Sequence, residues 1–133
     1  MKKAQIALRA ALLCDDIRRE ASGKLLLVGA YSGDLLVATI PAVIPLCVLL
    51  LATIARPGRA RLEFRFMGGE TMLAAGDFSA DAAVEDPGAL LPLGPFPVPL
   101  QTNGPLHFEV RHEAGEWARL GTWRVGLAPQ PSA

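Results

Sequence analysis

Apolar and polar residues alternate strictly in two stretches of the chain, 61–66 and 106–111. In the first stretch Leu62, Phe64 and Phe66 would face a core, and the charged residues between them would face solvent. The second stretch is followed by a turn at 113–116 and an apolar run at 117–127, which together predict a C-terminal hairpin. Gly121 interrupts the alternation of that run and predicts a β-bulge.

Further strands are predicted by apolar runs between glycines and prolines. The near-continuous run at 24–31 is typical of a central strand, and the run at 46–55 is typical of a strand that is buried on both faces. The weaker patterns at 71–78 and 96–101 also predict strands, and Gly68-Gly69 predicts a hairpin turn. The segment 80–95 contains three prolines and two glycines, so we interpret it as a long connection.

The N-terminal segment, residues 4–20, fits two interpretations. One apolar set falls on a single helical face, and another alternates as in a strand; the sets are Ile6, Ala10, Leu13 and Ile17 for the helix and Ile6, Leu8, Ala10 and Leu12 for the strand. We prefer the strand, because Ser22-Gly23 then forms the turn into the next strand.

These patterns predict an all-β fold of one domain. It is an antiparallel β-sandwich, immunoglobulin-like or C2-like, of about seven or eight strands. The predicted strands are 4–14, 24–31, 46–55, 60–67, 71–78, 96–101, 105–112 and 117–127. The sandwich would occupy residues 1–127, and we expect 128–133 to be a disordered tail.

Composition excludes several classes of protein. The chain has 133 residues, 51% of them hydrophobic, so it is long enough for one core and too apolar to be disordered. Its 13 basic residues balance its 13 acidic residues, which opposes a role in nucleic-acid binding. Alternation also places Phe64 and Phe66 on the opposite face from Arg61 and Arg65, so the rings cannot stack bases beside those charges.

The apolar run 35–55 is long enough to cross a membrane as a helix. Pro41 and Pro45 would break that helix, so we do not expect a membrane protein. The N-terminus resembles a lipoprotein signal ending at Cys14, but Arg9 interrupts the apolar segment and Leu13 is too large for the position before the cysteine. We therefore expect a cytoplasmic protein with free thiols at Cys14 and Cys47.

The N-terminal motifs resemble those of an uncharacterised bacterial family, a domain of unknown function. The motifs are Cys14-Asp15, Gly23-Lys24 and Gly29-Ala30-Tyr31, followed by a loop that carries Pro41 and Pro45. In that family the pattern is Cys-Asp, then Gly-Lys, then Gly-Val-Phe/Tyr, and the resemblance covers roughly the first 70 residues. It implies an all-β sandwich and no known activity.

No pattern of catalytic or metal-binding residues is found in the sequence. Ser32 lacks the spacing of a hydrolase elbow, and the two aspartates after Cys14 would raise its thiol pKa. His107 and His112 have no metal-ligand spacing, and His107 falls on a predicted solvent face. We therefore predict no catalytic residue, no metal site, no cofactor and no enzymatic activity.

If each strand runs antiparallel to the one before it, successive loops lie alternately at the two ends of the sandwich. This places most loop charges at one end, and the candidate charged pole comprises Asp15, Asp16, Arg56, Arg59, Asp81 and Asp86. Such a pole would be either a calcium or small-molecule site or an ordinary set of solvated ion pairs. The same argument separates Cys14 from Cys47 by roughly 20 Å, too far for a disulfide.

The opposite end would carry an unusually apolar loop. Its candidate interface comprises Leu35, Leu36, Val37, Ile40, Val43 and Ile44. An apolar loop is buried in its own chain, pairs with a second copy, or contacts a membrane or ligand. The predicted function is a non-catalytic binding or assembly module, as a homo-oligomer or with an unknown protein partner; the alternative is the ligand-binding domain described above.

Overall fold

The computed structural model describes residues 2–129. Nine β-strands account for the regular structure of this range. They are β1 (Gln5–Arg19), β2 (Leu25–Ala30), β3 (Asp34–Val37), β4 (Ala42–Arg56), β5 (Gly58–Gly68), β6 (Thr71–Ala82), β7 (Asp86–Leu100), β8 (Gly104–His112) and β9 (Ala118–Leu127). No helix long and apolar enough to cross a membrane occurs between residues 2 and 129.

The strands form two sheets that pack face to face. One sheet has the order β2-β1-β4-β7 and the other β3-β9-β8-β5-β6. Neighbouring strands are antiparallel except for β3 and β9, which run parallel. The predicted all-β sandwich is confirmed, with nine strands in place of seven or eight.

The core between the sheets follows the alternation read from the sequence. Leu62, Phe64 and Phe66 of β5 are buried in it, as predicted. The Phe64 ring lies 4.4 Å from the ring of Phe96, which is contributed by the opposite sheet. Phe66 and Phe108 pack edge to face at 5.0 Å, so an aromatic cluster joins the two layers.

Residues 5–19 form one continuous strand, which confirms the strand interpretation of the N-terminal segment. The strand is longer than predicted, because residues 16–19 pair with Leu25–Val28 of β2. Ser22-Gly23 forms the expected turn, in which Gly23 adopts the left-handed conformation (φ 92°).

The segment 80–95 is not a long connection, because β7 begins at Asp86. Prolines are tolerated there because β7 is an edge strand. Pro97 pairs with Pro45 and Pro99 with Val43, so these prolines direct their missing N–H positions toward the free edge. The residues that alternate with them, Val98 and Leu100, point their side chains into the core.

The predicted charged pole is wrong, because its members lie at two ends of the four-stranded sheet. Cys14 pairs with Cys47, whereas Asp86 pairs with Ile54. Asp15, one residue beyond Cys14, is level with Leu46, so eight residues of strand (46 to 54) separate the levels of Asp15 and Asp86, about 26 Å. Asp15 and Asp16 lie at one end, and Arg56, Arg59, Asp81 and Asp86 lie toward the other. The loop-parity argument failed because β1 continues past Cys14 and β3 adds a strand.

The predicted separation of the two cysteines is wrong for the same reason. Cys14 and Cys47 are direct partners across β1 and β4, and both are buried free thiols. At the C-terminus, the Ala128 N–H donates to the Val37 carbonyl, so the predicted tail is anchored at its first residue. Residues 130–133 of that tail lie outside the described range.

The aromatic cluster makes a stability prediction. Replacing Phe66, which is fully buried, with alanine should lower the free energy of unfolding by about 3–5 kcal/mol, because the cavity between the sheets cannot close completely. Met72→Ala, at a position that is 60% exposed, is the matched control and should change it by less than about 0.5 kcal/mol. Urea unfolding measures both; equal effects would show that Phe66 is not a core residue.

Candidate interaction surface

The outer face of the five-stranded sheet is charged, and its charges are paired with one another. Arg61 bonds Asp77 across β5 and β6 at 2.9 Å, and Arg111 bonds Glu63 across β8 and β5 at 2.9 Å. The residues of β5 that alternate with the core positions thus face solvent, as the sequence predicted. Exposed pairs of this kind contribute little stability each, but they keep the face hydrated and satisfied within the chain.

Glu109 is the centre of this charged face. Its carboxylate accepts hydrogen bonds from Arg65 at 2.7 Å and from Arg119 at 3.0 Å, although the residue is only 6% exposed. Burial by itself would raise the pKa of Glu109, but the hydrogen bonds and charges of the two arginines outweigh it and lower that pKa. The buried charge is therefore paired on both of its oxygens, as a buried carboxylate requires.

Trp117 and His107 belong to the same face. The guanidinium groups of Arg65 and Arg111 lie 4.1 and 4.4 Å from the Trp117 ring centroid, one cation–π contact each. His107 Nδ1 shares a hydrogen bond of 2.8 Å with Thr122 Oγ1. Burial and the charge of Arg119 lower the pKa of His107.

The outer face of the four-stranded sheet has the opposite character. Leu46, Val48 and Leu50 of β4 point into the core, so the residues between them point outward. The outward side chains of this sheet form a surface that we call the apolar face. Its members are Ala10, Leu12 and Cys14 of β1, Leu26, Val28 and Ala30 of β2, Val43, Pro45, Cys47, Leu49 and Leu51 of β4, and Leu90, Pro92, Pro97 and Pro99 of β7.

The apolar face is both exposed and continuous. Among the described residues nine large hydrophobic side chains are exposed, and five of them belong to this face: Leu12, Leu26, Val28, Val43 and Leu90. Leu49, by contrast, is only 4% exposed although it is not part of the core between the sheets. Its neighbours on the face cover it, which means that the apolar side chains are in contact with one another.

Charged side chains are absent from the central rows of the apolar face, but Asp16 and Arg18 lie within one end of it, beside Val28 and Leu26. Those rows are Cys14–Cys47, Leu12–Leu49–Pro92 and Ala10–Leu51–Leu90. At one end Arg9 donates to Thr53 Oγ1, and Thr53 donates to the Pro87 carbonyl. At the other end Asp16 forms an ion pair with Arg18 at 3.0 Å. An apolar centre with a polar rim is the usual anatomy of a protein–protein interface.

The interface predicted at 35–44 is not one surface. Leu35 and Val37 are buried in the core, while Ile40 and Ile44 are partly buried against it. Leu36 is exposed on the other sheet, so of the six candidates only Val43, which is 66% exposed, belongs to the apolar face. The other residues of the apolar face were not predicted from the sequence. The nearly continuous apolar run 46–55 could have indicated them, because a strand that is apolar at every position needs apolar surroundings on both sides of its sheet.

The two neighbouring thiols lie within the apolar face and are expected to be unreactive. Cys14 and Cys47 are 0% and 2% exposed, and the Cys14 thiol donates to the Cys47 carbonyl at 3.8 Å. Burial, the neighbouring Cys47 and the charge of Asp15 raise the pKa of Cys14 to about 11. Burial also raises the pKa of Cys47. Neutral, sealed thiols are poor nucleophiles and poor metal ligands.

The acidic residues of the proposed calcium site have other partners. Tyr31 donates its hydroxyl to Asp15, and burial together with Asp15 raises the pKa of Tyr31 to about 12. Arg59 bonds Asp81 at 2.8 Å. Within residues 2–129 no three histidine, cysteine or acidic side chains converge as metal ligands would. His112 Nε2 donates to the Ile6 carbonyl at 3.0 Å, so this ring also serves the fold.

Thiol reactivity tests the burial of the cysteine pair. At pH 8 the folded protein should react with a disulfide reagent such as DTNB at least about 100-fold more slowly than a small free thiol, because both sulfurs are neutral and covered. After unfolding in guanidinium chloride, both thiols should react at the ordinary rate. Rapid reaction of one thiol in the folded protein at pH 8 would contradict this account.

The comparison with known protein families gives a match over most of the chain. Residues 9–119, from β1 to the start of β9, match a family described only as a family of unknown function (DUF6941). No curated protein matches the chain. The expectation of an uncharacterised family is therefore confirmed, and the function has to be argued from the surface of the molecule.

Proposed function

The chain belongs to this family of unknown function, and we propose that it is a non-catalytic module that binds another protein surface through its apolar face. The observation that carries the proposal is the contrast between the two outer faces. On one sheet the charges are paired within the chain, so that face needs no partner. On the other sheet five large apolar side chains remain exposed. A contiguous apolar patch with a polar rim marks an interaction site.

The size of the apolar face supports this proposal. About nine residues each of β1, β4 and β7 and the six residues of β2, at about 3.3 Å per residue and about 4.8 Å per strand, give a footprint of about 520 Å². Covering its apolar part would contribute on the order of 10 kcal/mol per partner before the costs of association. A total of about 1,000 Å² is near the minimum for a specific interface.

The proposed setting is the bacterial cytoplasm. Cys14 and Cys47 are neighbours across two strands and remain separate thiols, which suits a reducing compartment. The bacterial origin is supported by the resemblance of the N-terminal motifs to an uncharacterised bacterial family.

A binding role is also supported by the state of the groups that could do chemistry. The thiols are buried with raised pKa values, and both histidine rings are held by hydrogen bonds to neighbouring residues. Enzymatic activity would require at least one accessible nucleophile, acid or base at a site where a substrate fits. The alternative of a calcium or small-molecule site loses its basis, since the acidic residues lie at two ends of the sheet.

Charged substitutions on the apolar face test the proposal. The double variant Leu12→Lys/Leu90→Lys places two ammonium groups at positions that are 44% and 49% exposed, so the fold should tolerate them. It should lose at least about 90% of the partner protein that the unmodified chain captures from the lysate of its native cell, because a buried unpaired charge is costly. Quantitative mass spectrometry of the captured proteins, including untagged copies of this chain, measures the loss.

The matched control is Leu36→Lys/Met72→Lys. These leucine and methionine residues are 50% and 60% exposed but lie on the five-stranded sheet, outside the apolar face. The control should retain the partners of the unmodified chain. Equal capture by both variants, or no specific capture by the unmodified chain, would refute the proposed function.

A further inference from the structure

We infer that β2 pairs with β2 of a second copy of this chain about a two-fold axis, so that the two four-stranded sheets join edge to edge into one sheet of eight strands. This pairing uses the edge of the sheet, whereas the proposed function uses its face, so either can hold without the other. Three features of the structure point to it: a hairpin that extends beyond the rest of its sheet, an unprotected strand edge, and a backbone register that matches itself.

The β1–β2 hairpin extends beyond the part of the sheet that β4 supports. In the described part of the chain β1 pairs with β4 as far as Cys14, and residues 16–19 pair with β2 alone. The side chains on the inner side of the hairpin, Ile17, Leu25 and Leu27, are half-buried but are not among those that pack against the core. A two-stranded hairpin is marginally stable by itself, so this one gains from further strands at its open edge.

The free edge of β2 carries neither a proline nor a charge over residues 25–28. The other three edge strands of the described sheets are protected in different ways. Prolines occupy β7, Asp77 and Asp81 lie on β6, and β3 has only four residues. An apolar edge without such protection is a template for another strand.

The backbone of β2 presents hydrogen-bonding groups at this edge. The Glu20 N–H donates to the Lys24 carbonyl at 2.8 Å, so Lys24 directs its carbonyl toward β1. Successive residues of a strand direct their N–H and C=O groups to opposite sides, so Leu26 also faces β1, whereas Leu25 and Leu27 face the free edge. Within residues 2–129 β2 pairs with β1 alone, so the outward groups of Leu25 and Leu27 have no strand partner.

These outward groups match their own counterparts in one register. With Leu26 on the two-fold axis, Leu25 of each copy lies opposite Leu27 of the other, and each such pair exchanges both of its N–H···O bonds. An axis at Leu25 would instead oppose Leu27 to Gly23, and an axis at Leu27 would oppose Leu25 to Gly29. Both glycines have a left-handed backbone (φ 92° and 67°), which interrupts a ladder. The axis at Leu26 therefore gives the longest regular ladder.

The side chains beside this axis are apolar. Leu26, which is 49% exposed, lies opposite its own counterpart, with about 4.5 Å between the two Cα atoms. Val28, which is 38% exposed, lies opposite Lys24 of the second copy, whose aliphatic stem covers it. Arg18, beside Leu26 on β1, is three strand spacings or about 14 Å from its counterpart, so the like charges are screened.

The pairing also places two apolar faces side by side. A two-fold axis perpendicular to the sheet keeps both apolar faces on the same side of the joined sheet. Their combined footprint is about 1,000 Å², twice that of one copy. A partner that covered both would bury about 2,000 Å² in total, the size of stable complexes. The second copy thus supplies the area that a single apolar face lacks.

Charge substitutions at the axis test the pairing by sedimentation velocity. The unmodified chain should form dimers in a concentration series up to several hundred micromolar. Leu26→Lys and Leu26→Glu should each weaken the dimer at least about tenfold, because each places two like charges directly opposite each other. An equimolar mixture of the two variants should form a mixed dimer with most of the original affinity, because lysine then lies opposite glutamate.

The matched control is Leu90→Lys, on the opposite edge strand of the same sheet. Leu90 is also 49% exposed, so the two lysine variants introduce the same charge at the same exposure. The control should leave the dimer unchanged. Equal weakening by Leu26→Lys and Leu90→Lys, or a mixture that fails to restore the dimer, would overturn pairing through β2.

A proline tests the backbone contact separately from the side chains. Leu27→Pro removes an N–H that faces the free edge and leaves the hydrogen bonds between β1 and β2 in place. It should weaken the dimer at least about tenfold, because two symmetry-related hydrogen bonds are lost. Leu27→Ala keeps the N–H and should weaken the dimer less. Equal dimer affinities of these two variants would show that the backbone of β2 is not in the contact.

Two outcomes separate this pairing from the proposed function. The double variant Leu12→Lys/Leu90→Lys should lose the captured proteins other than this chain and keep the dimer. A strict monomer at several hundred micromolar would overturn the pairing, and the proposed function would stand alone if capture still depended on Leu12 and Leu90. If dimers formed through β2 but the unmodified chain captured no other protein, the pairing would stand and the proposed function would fall.

Discussion

The arrangement of this protein depends on β4, a strand whose two faces are both apolar. β4 pairs with β1 on one side and with β7 on the other, and its alternate residues supply the core of the sandwich. The remaining residues, Cys47, Leu49 and Leu51, are apolar as well, unlike the charged outward residues of β5. The neighbouring strands match them with leucine, valine, alanine and proline. One strand therefore contributes both to the core and to the candidate interaction surface.

The outer faces of the two sheets differ in polarity. On the five-stranded sheet each acidic residue of the central strands has an arginine on a neighbouring strand, and Glu109 has two. The charged groups of this face are therefore paired within the chain and in contact with water. On the four-stranded sheet the central rows contain no charge, and the charged groups lie toward the two ends of β1. The neutral total charge of the chain is therefore an average over one charged face and one apolar face.

Much of the fold could be predicted from the sequence where alternation was strict. The strands at Leu62–Phe66 and Leu106–Arg111 and the bulge near Gly121 follow from local patterns, because each residue there has one clear environment. The predictions failed where tertiary position overrides local signals. Prolines in β7 suggested a loop, but the edge of a sheet accepts them. The charged pole failed because the unpredicted strand β3 changes the end of the sandwich at which the later loops lie.

The candidate surface was harder to predict than the core. Its residues come from four strands that are far apart in sequence, and only the sheet order β2-β1-β4-β7 brings them together. The sequence did indicate an excess of apolar residues between positions 35 and 55, but it could not show which of them face outward. Leu35 and Val37 are core residues because β3 pairs with β9 and turns them inward. No sequence pattern near residues 34–37 predicts that β3 pairs with β9.

The two tryptophans of the chain lie on opposite sides of the five-stranded sheet. Trp123 is 5% exposed and packs over Gly121, where a side chain would collide with its ring, whereas Trp117 lies between two arginine side chains on the outer face. Their indole fluorescence should therefore differ in colour and in response. Trp123 reports the packing of the interior, and Trp117 reports the ionic surroundings of the charged surface. The protein thus contains its own pair of optical probes, one for each side of a single sheet.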